Sequence, residues 1–89
     1  MEVRFNAPLA TQAQCTEGAQ AARAVFEASG LSPLAARNAF TQVQGNDEAE
    51  QPSPATVRAA RTWSRACDAA VRACFGASPR PPQADLDVA

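Results

Sequence analysis

Residues 54–75 read PATVRAARTWSRACDAAVRACF, and the spacing of charge along them decides the fold. Arg58, Arg61, Arg65 and Arg72 follow one another at intervals of three, four and seven residues. Wound as an α-helix, they fall within an arc of roughly 60°. Ala60, Trp63, Cys67, Ala70, Val71 and Cys74 lie on the opposite side. Such a segment is an amphipathic helix with one core face and one guanidinium ridge. Ser53 is its natural N-cap, and Pro54 takes the first helical position, where a missing amide costs nothing. Gly76 ends it.

Working outward, the same start signal recurs at Ser32-Pro33 and opens a helix over 33–44, with Ala36, Ala39, Phe40 and Val43 as its buried stripe. Further upstream, Thr11 and Gln14 have capping-box spacing. From there Cys15, Gly18, Ala19, Ala22, Val25, Phe26 and Ser29 repeat at helical intervals up to Gly30, so a helix is expected over 12–29. The turn between these two helices is only about three residues long, which forces a sharp corner. The stretch 45–54 is an acidic linker. The expected architecture is therefore all-α: a small three-helix domain over residues 11–76. An extended arm over 1–10 lays Phe5 against it, and a flexible acidic, proline-rich tail occupies 77–89.

Composition sets the scale of the core. Of 89 residues, 22 are alanine, and Leu, Val and Phe together supply only 14, with no isoleucine. Alanine is the strongest helix former, but it leaves a thin core, which implies marginal stability or completion by another subunit. The net charge of −1 argues against a general polyanion binder. No run of apolar residues is long enough to span a membrane, and the first residues lack a secretion-signal pattern, so a cytoplasmic or organelle-matrix location is expected.

Catalysis and metal binding find little support. There is no histidine, tyrosine or lysine, and no glycine-rich phosphate loop. The three cysteines, without histidine or a paired C-x-x-C, make a poor zinc site, and no cofactor is implied. Cys67 and Cys74 on one helix have α-carbons about 10 Å apart, too far for a disulfide between them. Cys15 can reach either across a helix pair, so the alternatives are one bridge or three small buried thiols.

The corner Ala28-Ser29-Gly30-Leu31-Ser32-Pro33, flanked by two helices, resembles the helix-turn-helix of DNA-binding proteins. The resemblance covers about twenty residues and implies that Arg37, Asn38 and Gln42, together with Gln44, would face DNA bases. It departs from the motif at Phe26, four residues before the glycine, where the crossing of the helices calls for a small side chain. A short-turn helical hairpin accounts for the same residues without DNA.

All eight cations of the chain are arginines, whose forked guanidinium groups bind carboxylates and phosphates bidentately. The Arg58, Arg61, Arg65 and Arg72 ridge is thus the candidate contact surface for a protein partner with an acidic surface. It is equally open to being solvated or neutralised by the acidic residues 47–50. Trp63 is either the anchor of the core or the hot spot of an interface. Packing of the alanine faces of two copies around Trp63 would give a homodimer. The expected function is a non-catalytic interaction module, such as an accessory subunit, adaptor or small inhibitor. The alternative is a small helix-turn-helix-like DNA-binding regulator.

Overall fold

The computed structural model describes residues 2–45, 51–76 and 84–88. The three helices have the expected bounds: α1 (Gln12–Ser29), α2 (Pro33–Gln44) and α3 (Pro54–Phe75). Two short strands are added, β1 (Val3–Asn6) before α1 and β2 (Asp85–Val88) after α3.

Local chemistry explains each helix boundary. The Thr11 amide donates to Gln14 Oε1 at 2.8 Å, and the Gln14 amide donates back to Thr11 Oγ1 at 3.1 Å, closing the capping box. Ser32 and Ser53 cap α2 and α3 by accepting from the amides of Ala35 and Thr56, and each is followed by proline at the first helical position. Gly30 adopts the left-handed conformation with φ 65° and ψ 23°. Its amide donates to Glu27 O at 3.2 Å, and the Leu31 amide donates to Phe26 O at 3.3 Å, the paired bonds of a Schellman corner.

α3 is the hub of the molecule. α1 and α2 each pack along it, β1 lies on α1, and β2 adds contacts to α3. The strands run antiparallel, with Val3 opposite Val88 and Phe5 opposite Leu86. This ribbon corrects the purely helical expectation at both chain ends. The N-terminal arm is paired along its edge, and the last described residues of the expected flexible tail form its partner strand. The physical reason is visible in the burial. Ala84, Leu86 and Val88 are each 6 % exposed, whereas Asp85 and Asp87 point outward. The acidic linker residues 47–50 and the proline run 79–82 lie outside the described residues.

The ribbon provides bulk that the helices lack. Ala22, Ala36, Ala66 and Ala70 are completely buried and bring the helices close together, but they fill little volume. Val3, Phe5, Leu86 and Val88 close the core from one side. Burying each of them contributes about 1.5–3 kcal/mol. Gly18 marks the tightest approach: a Cβ placed there would lie 2.8 Å from Phe5 Cδ2 and 3.0 Å from the Ala70 carbonyl oxygen. Phe5 in turn meets Phe75 edge-on, with ring centroids 6.3 Å apart.

Trp63 is a core residue, 7 % exposed, and packs on Phe26 with centroids 5.9 Å apart. Phe40 borders the same cluster, half-buried. The alanine face of α3 that a homodimer would have used is covered within the chain. No disulfide joins Cys15, Cys67 and Cys74. The Cys15 thiol donates to Ala7 O at 3.8 Å and neighbours Cys74.

Candidate functional site

α3 turns one face to α1 and α2 and the opposite face outward. Arg58, Arg61, Arg65 and Arg72 are all exposed on that outward side, while Ala66, Ala70 and Cys74 are buried behind them. The ridge is not uniform. Arg72 belongs to the last turn, where a cation is favoured by the helix dipole. Arg58 lies near the start of α3, where the dipole disfavours it. Arg58, Arg61 and Arg65 together border an open groove between the C-terminal half of α1 and the N-terminal half of α3. Arg72 does not line that groove.

The groove has an apolar floor. α1 and its corner contribute Val25, Ala28 and Leu31, and α3 contributes Ala55 and Ala59. Val25 and Leu31 are half-buried against the core, so their outer surfaces are held in place from behind. Thr62, buried to 5 % exposure, ties floor to rim. Its hydroxyl donates to Arg58 O at 3.2 Å and accepts from Arg65 Nη2 at 3.3 Å. The first bond is the backward contact that threonine makes inside helices. The second restrains one guanidinium while leaving its other N–H groups toward solvent.

Charge at the groove is mainly positive, three arginines against one carboxylate. Asp68 lines its far end. Among the described residues, the ion pairs are Arg4 with Glu2 at 3.1 Å and Arg37 with Asp87 at 3.9 Å, and neither involves the ridge. At the chain start, the Arg4 hydrogen bond and charge hold the Glu2 carboxyl below its usual range. Arg37, Asn38 and Gln42 are exposed on α2, but the Arg37 guanidinium also donates to Val88 O at 3.4 Å. The single cation of the expected DNA-reading helix is thus engaged with the ribbon.

The sequence pointed to the ridge but not to Thr62 or to the α1 wall. Thr62 stands next to Arg61, and its fall just beside the arginine arc was the available signal. The α1 wall depends on how two helices pack, which no local pattern carries. Burial and the neighbouring Cys15 push the Cys74 thiol up, which lowers its thiolate fraction and its reactivity. Among the described residues, no group of Cys, Asp and Glu is gathered to hold a metal ion, and no helix is long and apolar enough to cross a membrane. The chain matches no protein-family model, no curated protein and no solved structure in the comparisons made.

Proposed function

We propose that this chain is a non-catalytic protein-interaction module, an accessory subunit, adaptor or small inhibitor, that docks an acidic partner on the arginine side of α3. The observation that carries this reading is the alignment of Arg58, Arg61 and Arg65 along an apolar groove, with no ion pair to any described carboxylate. Exposed like charges three and four residues apart repel by a few tenths of a kcal/mol per pair. An acidic partner removes that repulsion and gains hydrogen bonds to charged forks.

A cytoplasmic or matrix setting suits three reduced thiols. DNA reading by α2 draws less support, because Arg37 is its only cation and is shared with Asp87 and Val88. A homodimer through the alanine face of α3 would require uncovering Ala66 and Ala70, both fully buried.

Affinity capture from the native host, with identification of the retained protein, tests the reading. The wild-type chain should retain one stoichiometric partner. The Arg58→Glu/Arg61→Glu/Arg65→Glu variant should lose it, and Arg23→Glu, on the exposed side of α1, should keep it. Retention by the triple variant, or a monomer of ordinary stability that retains nothing, would remove the proposal.

A further inference from the structure

We infer that the groove between α1 and α3 receives an amphipathic helix of the partner, its small or apolar stripe on the groove floor and its carboxylates facing Arg58, Arg61 and Arg65. The inference rests on the interaction reading above and names what that partner presents.

Three features of the groove select a helix. First, its two walls are themselves helices, α1 and α3, and a third helix fits the furrow between two packed helices at ordinary interaxial distances of about 8–10 Å. Second, its floor of Val25, Ala28, Leu31, Ala55 and Ala59 offers no row of unpaired backbone groups for an added strand. Third, the rim cations stand at i, i+3 and i+7, spanning about 10 Å along α3. Carboxylates repeated three and four residues apart on an opposing helix match that span, and an extended peptide at about 3.3 Å per residue would pass it in three residues.

The charge pattern makes the occupant acidic. Phosphate backbones bind to broad positive surfaces, whereas here cations line one edge of an apolar trough in a chain of net charge −1. A second copy of this chain is a poor occupant. α2 contains no acidic residue, α1 carries only Glu17 and Glu27, ten positions apart, and α3 has a single carboxylate, Asp68, among the same arginines. Thr62 contributes by restraining the Arg65 fork at 3.3 Å, so part of the ordering is done before binding.

The probe for a test is a stapled alanine–leucine helical peptide with three glutamates at i, i+3 and i+7 beside the leucine stripe. A second peptide has the same composition, with the glutamates spread around the helix. Binding is read by amide shifts on isotope-labelled protein. The matched peptide should shift residues 25–31 and 55–65 and should bind about tenfold more weakly to the Arg58→Glu/Arg61→Glu/Arg65→Glu variant. A lysine version should bind that variant in its place. Ala28→Trp, a substitution at an exposed position, should fill the groove and block the matched peptide with the ridge charge unchanged.

Equal binding of both peptides, no binding of the matched one, or binding unaffected by Ala28→Trp would each overturn the helix-in-groove assignment. If the captured host partner is still lost on ridge reversal but not on Ala28→Trp, the interaction reading stands and this inference alone falls.

Discussion

Replacing Gly18 by alanine sets two opposing effects against each other at the tightest point of the structure. Alanine in a helix interior is favoured over glycine by about 1 kcal/mol, so propensity alone raises stability. The new methyl, however, would lie 2.8 Å from Phe5 Cδ2, 3.1 Å from Phe5 Cγ and 3.0 Å from the Ala70 carbonyl oxygen. Carbon atoms in good contact stand about 3.5–4.0 Å apart. The clash falls at the base of the Phe5 ring, so the ring cannot simply swing its tip away. It must carry β1 with it, disturbing both the register of Phe5 with Leu86 and the edge contact with Phe75. The carbonyl belongs to α3 and is held in its helix.

Overpacking of this kind costs about 1–3 kcal/mol. The net effect expected for Gly18→Ala is a loss of about 1 kcal/mol, read as a fall in Tm of about 4–8 °C by circular dichroism. In a Phe5→Ala background the ring is gone and much of the penalty with it. The two substitutions should therefore couple by about 1 kcal/mol in a double-mutant cycle. A Tm that rises with Gly18→Ala, with no coupling to Phe5, would refute the placement of β1 on α1.

Leu86→Ala removes a buried side chain from the ribbon and should cost about 2–5 kcal/mol by chemical denaturation, whereas Asp87→Asn on the exposed face should cost less than about 1 kcal/mol. Arg61→Gln relieves repulsion from both Arg58 and Arg65. It should leave Tm unchanged or raise it by a few degrees, and the gain should shrink as salt is added; a marked fall would mean that the ridge is neutralised within the chain. Cys74, held protonated by burial and by Cys15, should resist alkylation in the native state and react on unfolding. Because its folded pKa is raised, its stabilising effect is complete below the ordinary thiol value of about 8.5 and declines as pH climbs above it. Cys74→Ala should flatten that alkaline slope in a pH series of melts.

The helices were legible because their ends are written locally. Thr11 with Gln14, Ser32 with Pro33, Ser53 with Pro54, and the closing Gly30 and Gly76 are short-range signals, and the structure places the helix bounds where they indicate. The ribbon was hidden for the opposite reason. Each strand has four residues, the two lie at opposite ends of the chain, and neither buries its apolar pair without the other. Leu86 and Val88 alternate with Asp85 and Asp87 in the strand period, but the acids and nearby prolines read as a solvated tail. At the candidate site, helical period alone gathers the arginines onto one flank. The apolar floor beside them was not legible, since Val25, Ala28 and Leu31 reach Ala55 and Ala59 only through the packing of α1 on α3.

The central claim is that the outward side of α3 is a docking surface, and mapping the contact on the protein tests it most directly. Isotope-labelled chain titrated with the partner retained from its host should show amide shifts concentrated at residues 55–68 and 25–31, with β1, β2 and the outer side of α2 unmoved. Shifts confined to the ribbon or to α2, with Arg58, Arg61 and Arg65 silent, would contradict it.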